Sequence, residues 1–154
     1  MLAEWKLRRA LHDTPTRKPI SSWHDVEMVT LTDDYVAFAQ ERLRDVRRAC
    51  ADPVVLIEQR PDFSHVVPGG FGTGDCVIIA EPTLQNIDLK FEQGVMVEAE
   101  DKPRLMFYAL GALNACGSLC DVTEVSVTFS SRGARTSQSG RARWSSWRGG
   151  PNRW

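Results

Sequence analysis

The chain has 154 residues, of which 42% are hydrophobic and 25% are charged, a composition typical of a globular protein rather than a disordered one. Its length fits one domain with a core that needs no disulfides for stability. No apolar run reaches the ~20 residues of a membrane span and the N-terminus lacks a signal-peptide pattern, so we expect a cytoplasmic protein without a membrane partner.

The net charge of −1 hides two regions of opposite sign. Residues 130–154 contain six arginines and no acid, which leaves 13 basic and 20 acidic residues, a net charge of −7, in residues 1–129. Because 130–154 combines arginine, serine, glycine and tryptophan without periodicity, it is predicted to be a disordered tail. Its abrupt composition favours a frameshift near residue 130, and the alternative is an arm that binds nucleic acid.

The predicted elements begin with a short helix over residues 2–12, followed by a proline-rich connector. Thr32-Asp33-Asp34 has the acidic first turn of a second helix. Apolar residues at helical spacing continue this helix to about Cys50, and Asp52-Pro53 ends it.

Three strand-like runs follow, and the short turns between them predict an antiparallel meander. The runs cover residues 54–60, 73–80 and 84–90. Pro103 fits the first turn of a helix that reaches Leu113, and the alternation of 123–129 predicts a fourth strand. Because this strand follows a helix, it can pair in parallel with the third strand. The predicted fold class is α/β in the order α-β-β-β-α-β, with a mixed central sheet flanked by helices.

Two aspartates and a lysine stand at the ends of the second and third predicted strands. Asp75 precedes the apolar run 76–79, and Asp88 is followed two residues later by Lys90, which projects from the same strand face. Metal-dependent cleavage of a phosphodiester needs carboxylates that hold Mg²⁺ and a group that positions the attacking water. Carboxylates that enter an apolar sheet are costly unless they are paired or bind a cation. The alternative is a surface hairpin with ordinary acids.

Several short stretches between residues 34 and 113, about half of the chain, follow the order of a known nuclease family. They are VLIEQR (55–60), GFGTGDCVII (70–79), TL (83–84), IDLK (87–90), GV (94–95), and AED to YALGAL (99–113). This series resembles the RecB-like exonuclease branch of the PD-(D/E)xK nuclease superfamily, and within it a phage and prophage family. The resemblance implies a restriction-endonuclease-like core over residues 1–129, incomplete at both ends, with DNA as the partner and Mg²⁺ or Mn²⁺ as the cofactor.

The resemblance also implies roles for individual residues of the strands. Asp75 and Asp88 match the metal ligands of the family, and Lys90 matches its catalytic lysine. Glu58 matches an acid of the preceding strand, which is either a further metal ligand or a structural partner of Arg60.

Two further residues are implied to contact DNA. Tyr108 matches the tyrosine of the family's Gln-x-x-x-Tyr helix, although an aromatic residue at helical spacing is also typical of a core. The glutamine of that motif is replaced by Arg104, which would contact phosphate as a charge.

The chain departs from the family at both ends. The family carries a metal-binding histidine before a Leu-Ala-Glu stretch, but this chain begins at Met1-Leu2-Ala3-Glu4, and the family continues beyond the fourth strand. A truncated member is therefore expected. The predicted function is a metal-dependent DNA nuclease that acts in recombination or DNA processing. The alternative is a catalytically inactive remnant that at most binds DNA.

Overall fold

The computed structural model describes residues 2–12, 17–22, 25–60, 62, 64, 68–70, 73–90, 111, 112, 114, 121–131 and 139–143. Its elements are α1 (Leu2–Leu11), α2 (Val26–Arg47), β1 (Val54–Gln59), β2 (Gly74–Ala80), β3 (Thr83–Lys90), β4 (Glu124–Ser131) and β5 (Ser139–Arg143). The strands form one open sheet in the order β1-β2-β3-β4-β5. Within these ranges, no helix is long and apolar enough to cross a membrane.

The sheet is mixed, as the sequence predicted. β1, β2 and β3 form an antiparallel meander, and β4 pairs in parallel with β3. The turn between β2 and β3 also holds the beginning of β4, because the carbonyl of Pro82 accepts hydrogen bonds from the backbone N of Thr123 and Glu124 at 2.9 and 3.0 Å. The predicted α/β class, the meander and the parallel pairing of the third and fourth strands are confirmed.

The second helix begins earlier than predicted. Asp25 caps α2, since its Oδ1 accepts a hydrogen bond of 2.7 Å from the backbone N of Met28. The prediction of a start at Thr32 is therefore wrong, and Thr32 and Asp33 lie inside the helix. Lys6 of α1 contacts both of these side chains. The sequence alone does not show whether Asp33 belongs to the first turn of a helix or contacts another helix, because its partner Lys6 is distant along the chain.

Helices α1 and α2 pack against one face of the meander. The shared core consists of Leu7, Leu31, Tyr35, Val36, Ala39, Leu43, Ile57, Cys76, Ile78, Ile87 and Leu89. In β3, Ile87 and Leu89 belong to this core, and successive residues of a strand face opposite sides of a sheet. Asp88 therefore lies on the face away from the two helices.

The first helix also covers the outer edge of the sheet at β1. Arg8 donates from Nη2 to the carbonyl of Ile57 at 3.2 Å, and His12 donates from Nε2 to the carbonyl of Val55 at 3.1 Å. Both carbonyls belong to the edge strand, whose unpaired backbone groups would otherwise be open to another strand. The short N-terminal helix thus protects an edge as well as covering a face.

The opposite face of the sheet is apolar and buried as well. Its buried hydrophobic residues include Val77, Ile79, Leu84, Val125 and Val127. Gly111 and Ala112, at the end of the predicted third helix, are helical and buried. Residues 103–110 and 113 of that helix lie outside the described residues. A polar group on this face of the sheet is consequently placed in a setting of low polarity.

Part of the predicted tail belongs to the sheet. β4 extends to Ser131, and β5 pairs with β4 in antiparallel fashion from Glu124↔Arg143 to Thr128↔Ser139. The prediction of disorder therefore fails for residues 130, 131 and 139–143, and residues 132–138 and 144–154 lie outside the described residues. Strand pairing satisfies the backbone groups along the edge of β4, which composition alone does not indicate.

Candidate functional site

Asp75 and Asp88 lie beside each other at one end of the meander. The β2–β3 pairing ends at Cys76↔Ile87, and the next position in the same register sets Asp75 opposite Asp88. The Asp75 Oδ2 atom accepts a hydrogen bond of 2.7 Å from the backbone N of Leu89. This bond holds the Asp75 carboxylate next to the peptide that follows Asp88. The structure thus brings two of the predicted site residues together.

Glu58 extends the pair to a row of three acids. The β1–β2 pairs on both sides of Glu58 share one register, which places Glu58 opposite Asp75. Glu58, Asp75 and Asp88 therefore occupy matching positions on three neighbouring strands. Glu58 also has a φ of 49°, in the left-handed region that non-glycine residues seldom adopt. Such a conformation costs about 1–3 kcal/mol and is most frequent at functional sites.

The acids influence one another electrostatically. Burial raises the pKa of the Glu58 carboxyl. The positive N-terminus and Arg8 oppose this shift, and the negative charges of Glu4 and Asp88 add to it. Asp88 is itself only 5% exposed, so water screens its charge poorly. The Asp88 charge therefore opposes the ionisation of Glu58, and a cation bound at this end of the sheet would relieve that repulsion.

Tyr35 of α2 lies close to this row of acids. Its hydroxyl donates to the carbonyl of Ile87 at 3.1 Å, and its side chain is fully buried. Burial raises the pKa of Tyr35 well above its ordinary value of 10.0, and four neighbouring groups that are negative when ionised act in the same direction: Cys76, Asp75, Asp88 and Glu58. The tyrosine is a neutral donor that joins α2 to β3 directly before Asp88.

The raised pKa of Glu58 has a consequence for stability. The folded protein binds a proton at Glu58 more tightly than the unfolded chain, whose carboxyl titrates near its ordinary value of 4.5. Ionisation therefore lowers stability as the pH rises above 4.5 through the folded pKa. We expect Glu58→Gln to melt at a higher temperature than the wild type at neutral pH, with no difference in acid below both pKa values. Melting curves across this pH range test the effect, and Glu41→Gln on the exposed side of α2 is the control. A difference that does not change with pH would contradict it.

Cys76 is predicted to be an unreactive thiol. Burial raises its pKa to about 12, and the charge of Asp75 acts in the same direction. At about pH 8 the thiol is protonated and shielded, so we expect iodoacetamide to leave Cys76 unmodified in the folded protein. Cys50 is only half-buried and should react. Mass spectrometry of peptides from labelled native and denatured protein checks this, and equal rates at the two cysteines would refute it.

The oxygen donors at this end of the sheet suit a small divalent cation. Mg²⁺ takes one or two protein carboxylates and completes its shell with water and substrate oxygens. Asp75 and Asp88 can provide the two carboxylates. A buried amide without hydrogen bonds lies nearby. Asn86 is 1% exposed, and neither its Oδ1 nor its Nδ2 atom has a hydrogen-bond partner in the described part of the chain. Among the described residues, no three His, Cys, Asp or Glu side chains form a metal-binding group. The carboxylates of Asp75 and Asp88 therefore fit a cation held by two protein ligands. The role of Glu58 as a further ligand stays a prediction.

Of the remaining predicted site residues, the structure describes only the backbone of Lys90. Lys90 is the last residue of β3, and its backbone pairs with Ser131 of β4. Tyr108 and Arg104 lie outside the described residues, so their DNA contacts stay predictions.

The sequence did not single out Tyr35 or Asn86 as site residues. Tyr35 has the spacing of an ordinary core residue, and only its hydroxyl contact with β3 sets it apart. Asn86 had no distinguishing signal, because β3 mixes Gln85 and Asp88 with its apolar residues. Only its burial in the folded protein sets this amide apart.

Together, the sheet and the row of acids define an α/β protein with a candidate cation site at the end of its meander. The chain belongs to the family described as Protein of unknown function (DUF2800), which matches residues 1–131. The matched region includes α1 through β4, and its end lies beside the change of composition at residue 130. No solved structure matches the chain.

Proposed function

We propose that this chain is a divalent-metal-dependent deoxyribonuclease of the RecB-like exonuclease branch of the PD-(D/E)xK superfamily, with a restriction-endonuclease-like core. It would hydrolyse phosphodiester bonds of DNA in recombination or processing, in the cytoplasm, and be of phage or prophage origin. The observation that carries the proposal is the adjacency of Asp75 and Asp88 across β2 and β3, held by the 2.7 Å hydrogen bond from Leu89. Lys90 follows Asp88 at the spacing that the motif requires.

Each residue has a distinct role in the proposed reaction. A Mg²⁺ or Mn²⁺ ion would supply charge stabilisation at the phosphate and would make water more acidic. Asp75 and Asp88 would hold this cation, and the Leu89 N–H orients the Asp75 carboxylate. Lys90 orients the attacking water and stabilises negative charge on the phosphate. Tyr108 and Arg104 would contact the DNA.

Incubation of linear and circular DNA with the protein tests the proposal. We expect cleavage with Mg²⁺ or Mn²⁺, and a loss on the order of 100-fold or more in Lys90→Ala, because one stabilising charge at the phosphate is removed. Lys18→Ala, at an exposed position of the connector, is the matched control and should cut normally. Cleavage of linear DNA alone would identify an exonuclease. No cleavage by the wild type with either metal would overturn the proposed activity.

A catalytically inactive remnant that at most binds DNA is the second candidate. It is favoured by the engagement of one Asp75 oxygen with a backbone amide and by the absence of a three-residue metal group among the described residues. A wild-type protein that retards labelled DNA in the presence of Ca²⁺ but does not cut it with Mg²⁺ or Mn²⁺ would establish this alternative.

A further inference from the structure

Asn86 is a buried amide without a hydrogen-bond partner in the described part of the chain. Its side chain is 1% exposed, and both Oδ1 and Nδ2 lack a partner. A buried amide that makes no hydrogen bond loses the bonds it made to water, so such groups are rare and call for an explanation. A ligand is one such explanation.

The surroundings of Asn86 favour a ligand over a structural partner. Its neighbours across the sheet are Val77 of β2 and Val127 of β4, whose side chains offer no hydrogen bond. A Cβ built on Gly74 would stand 4.0 Å from Asn86 Oδ1. The amide oxygen therefore lies beside the residue that immediately precedes Asp75.

Asn86 is also close to the second acid of the candidate site. It precedes Asp88 by two residues on β3, and residues at this spacing face the same side of a sheet. Asn86 thus lies two residues from Asp88 on one face of β3, and its amide oxygen lies beside Gly74, the residue before Asp75.

We infer that Asn86 completes the cation site by directing its side-chain oxygen to the ion, or to one of the ion's waters, between Asp75 and Asp88. The inference rests on the proposed function, since that function supplies the cation. An amide oxygen is a ligand type that hard divalent cations accept. The Nδ2 group can donate to a phosphate oxygen held by the same cation, so an amide suits this position better than a third carboxylate.

Two substitutions at Asn86 have opposite expected effects. Asn86→Leu keeps the branched shape and the number of side-chain heavy atoms and removes the unsatisfied amide, so the metal-free protein should melt at a higher temperature. Its affinity for Mn²⁺ should fall about tenfold, as for other residues that support a metal site. Asn86→Asp adds a negative charge in the same place. It should lower the melting temperature without metal and increase the rise that Mn²⁺ produces.

Calorimetric titration with Mn²⁺ and melting curves with and without Mn²⁺ measure both effects in the full chain. Gln85→Leu, one residue away on the other face of β3, is the control and should bind Mn²⁺ normally. If Asn86→Leu binds Mn²⁺ as the wild type does while Asp88→Asn does not, the role of Asn86 is refuted and the proposed metal site stands. If the wild type does not bind Mn²⁺, both the role of Asn86 and the proposed metal site are refuted.

Discussion

Replacement of Asp88 by asparagine is expected to abolish metal-dependent DNA cleavage and to make the metal-free protein more stable. Asp88 is one of two carboxylates proposed to hold the cation, so the rate should fall on the order of 100-fold or more. Its charge also raises the pKa of Glu58, which means that the two carboxylates repel each other. Asparagine has nearly the same shape and carries no charge, so it removes this repulsion at a site that is 5% exposed.

The opposite directions of these two effects make the Asp88 experiment specific. A loss of activity with a lower melting temperature would result from simple misfolding, whereas a loss with a higher melting temperature identifies a carboxylate kept for function. Asp34→Asn, at an exposed position of α2, is the control and should change neither quantity. Cleavage assays with Mg²⁺ and melting curves without it provide the two measurements. Normal cleavage by Asp88→Asn would exclude Asp88 from the active site.

The strands were predictable because their signals are local. The β-branched run at the centre of β2 and the short turn to β3 determine a hairpin, and the helix predicted before β4 permits a parallel pair. The start of α2 was not predictable, since the contact of Asp33 with Lys6 joins residues far apart in the chain. The strand β5 was missed for a similar reason. Its composition is that of a tail, and only the open edge of β4 gives it a partner.

The candidate site was predictable only in part. Strand order alone brings Asp75 near Asp88, because both stand at the same end of a hairpin. The sequence does not specify the register that aligns Glu58 with them, and it gives no sign of the left-handed backbone at Glu58. The polar role of Tyr35 depends on how α2 lies over β3, and this is decided by packing between elements that are distant in sequence.

The contact between α1 and α2 leads to the second large expected effect. Lys6 donates from Nζ to the carbonyl of Val29 at 2.8 Å and to Thr32 Oγ1 at 2.8 Å, and it binds Asp33 Oδ1 at 2.7 Å. Its side chain is only 12% exposed. Lys6→Met keeps most of the apolar stem but loses all three contacts, so we expect a loss of about 2 kcal/mol in the free energy of unfolding. For a chain of this length, that corresponds to a fall of about 4–8 °C in the melting temperature.

A comparison with Asp33→Asn identifies which of the Lys6 contacts matter. The Asp33 side chain is 63% exposed, and ion pairs with an exposed partner contribute little because water and salt screen them. Asp33→Asn should therefore change the unfolding free energy by less than about 1 kcal/mol. The larger effect of Lys6→Met would then come from the partly buried hydrogen bonds to Val29 and Thr32, and it should persist at high salt. Equal and small effects of the two substitutions, or a loss that vanishes at high salt, would show that the lysine acts only through its surface charge. Because α1 also covers the edge of β1, the larger loss should be accompanied by faster hydrogen exchange of the β1 amides.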